Sequence, residues 1–107
     1  MGEDHVHVVF GTGQVGNALS AHLFSLGLTV RAVSRHRSST LVESVDWRAA
    51  DVTDAEAAID AAKGASVVYQ CLNAPYTEWP KRFPPLQRGV LSAAERNDAL
   101  LVSLENV

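Results

Sequence analysis

The stretch Phe10-Gly11-Thr12-Gly13-Gln14-Val15-Gly16 sets the expected fold of the whole chain. An apolar run from Val6 to Phe10 precedes it, and an amphipathic run from Val15 to Leu26 follows it. This order predicts a β-strand, a glycine turn with the spacing G-x-G-x-x-G, and an α-helix. Such glycines permit a tight turn, close approach of a pyrophosphate and close packing of helix on strand, while the helix N-terminus attracts phosphate. The pattern therefore predicts a dinucleotide site at Gly11, Thr12, Gly13, Gln14, Val15 and Gly16.

The composition excludes several classes of protein. The 107 residues suffice for one domain, and 47% hydrophobic with 20% charged residues is ordinary for a globular chain. A net charge of −3 is unlike that of proteins that bind nucleic acid or a membrane surface. No signal-peptide pattern is visible, and no apolar run approaches the roughly 18 residues of a membrane span. The single cysteine, Cys71, cannot form an internal disulfide, so we expect a cytoplasmic protein.

Further apolar runs predict four more strands, at 28–34, 45–49, 65–72 and 99–104. A helix is expected to begin at a capping box formed by Thr53 and Glu56, and another is expected over 86–96 after a proline-rich loop at 73–85. The helical spacing of the first helix predicts an inward face made of Val15, Ala18, Leu19, His22, Leu23 and Leu26. This alternation predicts an α/β fold: a Rossmann-type, doubly wound parallel sheet with strand order 3-2-1-4-5.

The end of the second strand bears on the choice of cofactor. A site for NAD usually has Asp or Glu there, about 20 residues past the glycines, to bind the ribose 2′-hydroxyl. No acidic residue occurs between Leu28 and Val42, and Ser34, Arg35 and Arg37 occupy this region instead. Since guanidinium groups bind phosphate bidentately, we predict NADP in preference to NAD. The alternative is a basic surface loop with no ligand.

Together, these motifs resemble the short-chain dehydrogenase/reductase superfamily. The chain is most similar to the extended and atypical branch, which includes NAD-dependent epimerases and dehydratases, although its glycine spacing differs from the G-x-x-G-x-x-G common there. The resemblance covers essentially all of residues 1–107 but only the first half of such an enzyme. It implies one NAD(P)-binding Rossmann domain that is truncated after the fifth strand.

The resemblance also implies roles for residues outside the glycine turn. Arg35 matches the NADP-preferring relatives, and Asp51-Val52 resembles the turn that contacts adenine in this family. Ser103 lies near the position of the family's catalytic Ser or Thr and is a candidate only. The loop that passes the cofactor after the fourth strand corresponds to Leu72, Asn73 and Ala74.

One departure from the family concerns catalysis. In this family the proton donor is the Tyr of a Tyr-x-x-x-Lys pair, in which the Lys lowers the pKa of the Tyr. The pair is absent here, because Tyr69 is followed four residues on by Asn73, and Tyr76 by Pro80. We therefore expect an NADP-binding half of a longer epimerase, dehydratase or reductase, inactive alone, whose small-molecule substrate the sequence does not identify. A bare sheet edge would favour self-association.

Two other functions fit a glycine turn after a first strand. A dinucleotide sensor without catalysis, similar to the NmrA type, would lack the Tyr-x-x-x-Lys pair naturally. A methyltransferase that binds S-adenosylmethionine would need an acid at the end of the second strand, which Ser34-Arg35 does not provide.

Overall fold

The computed structural model describes residues 5–71 and 79–104, and the side chains of 79–84 are not described. Within these residues five strands form one parallel sheet in the order β3-β2-β1-β4-β5, with a helix in each connection except that between β2 and β3. The predicted fold class and strand order are therefore confirmed. The elements are β1 (Val6–Phe10), α1 (Gln14–Ser25), β2 (Thr29–Ser34), β3 (Asp46–Ala49), α2 (Ala55–Ala61), β4 (Ala65–Gln70), α3 (Trp79–Arg96) and β5 (Leu100–Ser103).

β1 is the central strand and separates two hydrophobic cores. Val8 and Phe10 belong to the core under α2 and α3, whereas Val9 belongs to the core under α1, and all three are fully buried. Alternate residues of a strand point to opposite faces of a sheet, so an apolar run is what a strand covered on both faces requires. The position of β1 brings the turn that follows it to the middle of the sheet's carboxyl edge.

The orientation of α1 differs from the sequence prediction. Gly16, Ser20 and Leu23 are its buried residues, whereas Val15 and Leu26 are exposed. A Cβ at Gly16 would collide with the carbonyl oxygen of Gly11, so this close contact fixes which side of the helix meets the sheet. The apolar periodicity alone therefore predicted a face that is rotated from the true one.

α3 packs on the turn between β3 and α2 through a second glycine contact. A Cβ at Gly89 would collide with the carbonyl oxygen of Val52. The Asn97 amide, just past the end of α3, donates to the carbonyl oxygens of Ile59 at 3.1 Å and Ala93 at 2.8 Å. These contacts lock α3 to α2 and thereby hold the turn that leads into α2.

Arg31 is a charged residue in the middle of β2 with a structural role. Its Nη1 donates to the carbonyl oxygens of Ala61 and Lys63, each at 2.9 Å, and its Nε pairs with Asp46 at 3.3 Å. The carbonyls at a helix carboxyl end lack partners within the helix, and a cation there is favourable. Arg31 thus fastens the end of α2 to the sheet.

Two predicted boundaries are wrong. The N-cap of α2 is Asp54, whose carboxylate accepts from the Ala57 backbone N–H, whereas Thr53 donates its hydroxyl to Asp51. α3 begins at Trp79 instead of after residue 85, so the expected loop at 73–85 is helical in its second part, while 72–78 lie outside the described residues. Pro80 lies in the first turn of α3, where a proline is well tolerated because no N–H is needed.

We expect Gly89→Ala to lower the free energy of unfolding. Alanine normally stabilises a helix interior relative to glycine, but here the added methyl group meets the Val52 carbonyl oxygen. Overpacking of this kind costs about 1–3 kcal/mol. Urea denaturation of both proteins measures the difference.

Gln87→Ala serves as the control, because Gln87 is exposed on the same helix. It should leave the unfolding free energy nearly unchanged. An unchanged or increased stability of Gly89→Ala would contradict the close packing of α3 on Val52.

Candidate functional site

The glycine turn between β1 and α1 is the centre of the candidate site. Gly11 has a φ of 118°, which L side chains rarely adopt, and its N–H donates to the Val33 carbonyl oxygen at 2.9 Å. The turn then doubles back so that Gly16 lies against the Gly11 carbonyl. Only glycine fits at both positions, and together they aim the N-terminus of α1 at the carboxyl edge of the sheet.

Gly13 leaves open space in front of that N-terminus. Among the described residues nothing lies within 4 Å of the position that a Cβ on Gly13 would take. Gly13 is the N-cap of α1, no side chain caps the helix, and its first turn contains no acidic residue. The first N–H groups of a helix are unpaired and carry partial positive charge. This cradle fits a phosphate group of a dinucleotide.

The loop after β2 lies beside the glycine turn and carries the predicted cations. Arg35 and Arg37 are both exposed, and neither forms an ion pair within the described part of the chain. The Ser34 hydroxyl accepts from the Trp47 indole N–H at 2.9 Å and donates to the His36 carbonyl oxygen at 2.7 Å. Since its single proton is already donated, Ser34 holds the loop, and the arginines are the groups available to an anion.

The turn after β3 is held by an aspartate. The Asp51 carboxylate accepts from the Thr53 backbone N–H at 3.0 Å and from the Thr53 hydroxyl at 2.6 Å. Val52 is buried in the core under α2 and α3. The predicted adenine-contacting turn is therefore held by internal hydrogen bonds and by the buried Val52, at the same sheet edge as the glycine turn.

The end of β4 approaches the glycine turn from the other side. The Cys71 N–H donates to the Phe10 carbonyl oxygen at 2.9 Å, and the Cys71 Cβ lies 3.6 Å from where a Cβ on Gly16 would be. Burial raises the pKa of the Cys71 thiol to about 11, so the thiol is protonated near neutral pH. The predicted cofactor loop, Leu72, Asn73 and Ala74, lies outside the described residues.

Ser103 lies at the end of β5, apart from the glycine turn. It lines an open groove of about 460 Å³ between α3 and β5, and Gln70, Arg88 and Leu101 are among its other lining residues. The structure therefore places the catalytic candidate on the side of the sheet that α3 covers.

The side chains of His5 and His7 form hydrogen bonds with side chains of β4. His5 pairs with Ser66 at 3.0 Å through Nδ1, and His7 pairs with the Tyr69 hydroxyl at 2.8 Å. Burial, with a smaller effect of His5, lowers the pKa of His7. Across residues 5–71 and 79–104, no three His, Cys, Asp or Glu side chains lie together as a metal site would require.

The glycine turn, the helix N-terminus and the two neighbouring loops form the kind of edge on which a dinucleotide lies across a parallel sheet. The family of proteins described as NAD(P)H-binding matches residues 11–102. The chain belongs to this family. The prediction of an NAD(P)-binding domain, similar to those of short-chain dehydrogenases and epimerases, is thereby confirmed.

Relatives of this NAD(P)H-binding chain include much longer proteins. An uncharacterized protein of Mycobacterium tuberculosis is 39% identical over 66 residues, which are 62% of this chain and 8% of that protein. The structure of a provisionally assigned epimerase from Bacteroides thetaiotaomicron is 30% identical, with a TM-score of 0.66, over 83% of this chain and 43% of the other. A short-chain dehydrogenase/reductase superfamily protein from Agrobacterium tumefaciens with bound NAD is 23% identical, with a TM-score of 0.70, over 92% and 32% of the two chains. The chain thus spans less than half the length of each of these proteins.

Within residues 5–71 and 79–104, no helix is both long enough and apolar enough to cross a membrane.

Sequence reasoning missed three residues that shape the site. The Asn17 amide donates to a hydroxyl of the loop after β2, and the Trp47 indole donates to the Ser34 hydroxyl. Gly89 packs against the Val52 carbonyl oxygen. Asn17 directly follows the last glycine of the motif, but its partners lie 21 and 23 residues away. Such long-range pairs leave no periodic signal in one sequence.

We expect Gly13→Ala to weaken dinucleotide binding with little change in stability. The added methyl group meets no described protein atom within 4 Å, yet it occupies the space through which we expect a pyrophosphate to approach the backbone. Loss of one hydrogen bond to a charged group corresponds to about tenfold to a hundredfold in affinity. Titration of the intrinsic fluorescence of NADPH and NADH, beside thermal unfolding, measures both quantities.

Gly16→Ala is the matched control, because its methyl group collides with the Gly11 carbonyl oxygen instead. It should lower the melting temperature clearly, whereas Gly13→Ala should not. Unchanged binding by Gly13→Ala would show that the pyrophosphate lies elsewhere.

Proposed function

We propose that this chain is the NADP(H)-binding half of a longer oxidoreductase of the epimerase, dehydratase or reductase type. The observation that carries the preference for NADP is the loop after β2, where Arg35 and Arg37 are exposed without carboxylate partners among the described residues. The extra phosphate of NADP is on the ribose 2′-oxygen, which lies near the end of the second strand in this type of fold. Guanidinium groups bind such a phosphate bidentately.

In this proposal each predicted residue has a distinct role. Gly11, Gly13 and Gly16 let the pyrophosphate approach the N-terminus of α1, with Thr12, Gln14 and Val15 completing the loop. Arg35 binds the 2′-phosphate and Arg37 assists it, while Ser34 shapes the loop through its own hydrogen bonds. The nicotinamide cofactor supplies hydride transfer, and these residues bind and orient it. Asp51 and Val52 border the adenine, and the resemblance implies a role in passing the cofactor for Leu72, Asn73 and Ala74.

NAD is the second candidate, and one observation favours it. The Ser34 oxygen accepts one hydrogen bond and donates one, which leaves a lone pair that could accept from a ribose 2′-hydroxyl. A neutral hydroxyl is a weaker partner than a carboxylate, and the neighbouring arginines contribute nothing to NAD. The charge of the loop therefore supports NADP.

The proposal also covers the catalytic activity of the chain and its place in the cell. The chain lacks a Tyr-x-x-x-Lys pair, so we expect the isolated chain to have no useful reductase or epimerase turnover. A dinucleotide sensor without catalysis would lack the pair as well. The lone cysteine supports a cytoplasmic location, where thiols stay reduced.

We expect Arg35→Ala to lower the affinity for NADPH about tenfold to a hundredfold, which is the equivalent of one charge-assisted hydrogen bond. The affinity for NADH should be nearly unchanged. Added salt should lower the affinity for NADPH more than the affinity for NADH, because exposed charge pairs are screened. Fluorescence titration of both cofactors at two salt concentrations measures these effects. Equal weakening of both cofactors would mean that Arg35 supports the fold instead of the phosphate.

Two variants sharpen this comparison. Arg96→Ala removes the same charge at the carboxyl end of α3, far from the loop, and should change neither affinity. Ser34→Asp keeps an acceptor for the Trp47 indole but repels the 2′-phosphate, so it should shift the preference toward NADH.

We also expect the chain to self-associate through β5, which is an edge strand in the described sheet. Leu100 is 66% exposed there, and Leu104, which follows the strand, is 39% exposed. Exposed apolar edges favour pairing with another chain. Light scattering across a concentration series should therefore show species larger than a monomer.

Leu100→Lys should shift the chain toward the monomer, whereas Leu26→Lys should not. Leu26 is a matched control, since it is 61% exposed at the end of α1, away from β5. A monomeric parent chain at every concentration would overturn the expected association.

A further inference from the structure

Asn17 joins the phosphate-binding helix to the loop that carries the arginines. It lies in α1, and its backbone N–H donates to the Gly13 carbonyl oxygen at 2.9 Å. Its side-chain amide nitrogen donates to the Ser38 hydroxyl at 3.0 Å and to the Thr40 hydroxyl at 2.6 Å. The loop after β2 is thus tied directly to the helix that the glycine turn positions.

Ser38 and Thr40 form a small closed network around this amide. Their hydroxyl oxygens are 2.9 Å apart, and the Thr40 backbone N–H donates to the Ser38 hydroxyl at 3.2 Å. The next residue, Leu41, is buried in the core under α1 and donates its N–H to the Ser38 carbonyl oxygen at 3.2 Å. The far end of the loop is therefore anchored both to the core and to Asn17.

The near end of the loop is anchored by Ser34, through Trp47 and the His36 carbonyl. Arg35 and Arg37 lie between the two anchors, and the Arg37 guanidinium also donates to the Ser38 carbonyl oxygen at 3.4 Å. A segment that is held at both ends loses less conformational freedom when a ligand binds. The exposed arginines are thus carried on a backbone that is ordered beforehand.

The two hydrogen bonds that the Asn17 amide donates are offset in part by an unpaired acceptor on the same amide. Its Oδ1 is buried and has no hydrogen-bond partner among the described residues. A buried acceptor without a partner costs free energy. Removal of the amide would abolish this cost together with the two donated hydrogen bonds, and the Ser38 and Thr40 hydroxyls would still pair with each other, so we expect little net change in stability.

We propose that Asn17 is a positioning residue for cofactor choice, which holds the loop of Arg35 and Arg37 in the shape that receives the 2′-phosphate of NADP. This inference rests on the proposed function, in which that loop binds the phosphate. Asn17 acts through the loop and does not itself contact the phosphate. Its loss should therefore affect NADPH and leave NADH, which lacks the 2′-phosphate, almost unchanged.

The first experiment compares the affinities of Asn17→Ala for NADPH and NADH by fluorescence titration. We expect NADPH to bind roughly threefold to tenfold more weakly, as for the loss of one or two ordered side chains. NADH affinity and melting temperature should change little. In an Arg35→Ala background, Asn17→Ala should weaken the binding of NADPH clearly less than in the parent chain, because only the assisting Arg37 is then left for the loop to position.

The second experiment needs no cofactor. Trypsin cleaves after arginine, and cleavage after Arg35 and Arg37 in the native chain reports how tightly the loop is held. Mass spectrometry should show faster cleavage at these two bonds in Asn17→Ala. Thr40→Val should reproduce both effects, whereas Thr40→Ser, which keeps the hydroxyl, should restore the parent behaviour.

Asn97→Ala is the matched control, because the Asn97 amide also donates two hydrogen bonds, one to the Ile59 carbonyl of α2 and one to the Ala93 carbonyl of α3, away from the loop after β2. It should lower stability without changing the ratio of the two affinities. If Asn17→Ala weakens NADPH and NADH equally, or leaves cleavage at the loop unchanged, the positioning role is wrong. If the parent chain does not prefer NADPH and Arg35→Ala changes nothing, the proposed function fails first, and this inference falls with it.

Discussion

The burial of β1 between β2 and β4 is the constraint on which the rest of the structure depends. Val8, Val9 and Phe10 are fully buried, so their backbone groups need partners within the protein. Parallel neighbours on both edges supply those partners, and helices on both faces exclude water. Parallel pairing in turn requires a crossover after each strand, and the crossovers bring the loop residues of the site to one edge.

Two contacts between a glycine and a carbonyl then set the positions of the helices. Gly16 meets the Gly11 carbonyl on one face of the sheet, and Gly89 meets the Val52 carbonyl on the other. The first contact aims the N-terminus of α1 at the carboxyl edge, and the second holds the turn of Asp51 and Val52 at that same edge. These two borders of the candidate site are thus fixed by backbone packing and do not depend on a flexible side chain.

The positive charge of the candidate site depends on the absence of acidic residues at this edge as well as on the presence of arginines. The first turn of α1 has no acidic residue, and no acid follows β2 before Val42. Arg35 and Arg37 therefore face any ligand without a competing carboxylate among the described residues. Asn17 and Ser34 hold the two ends of that loop, which links the proposed 2′-phosphate contact to the helix proposed to bind the pyrophosphate.

The sequence by itself determined the order of strands and helices, the parallel sheet 3-2-1-4-5 and the glycine turn, because each rests on local apolar patterns and on residues with special backbone properties. It did not determine the rotation of α1, the N-cap at Asp54 or the start of α3 at Trp79, which depend on which neighbours compete for each group. The hydrogen bonds of Asn17 and Trp47 were likewise invisible, since their partners are distant along the chain. Only the tertiary structure brings those partners together, because burial and hydrogen-bond satisfaction act on distances in space and not on spacing in sequence.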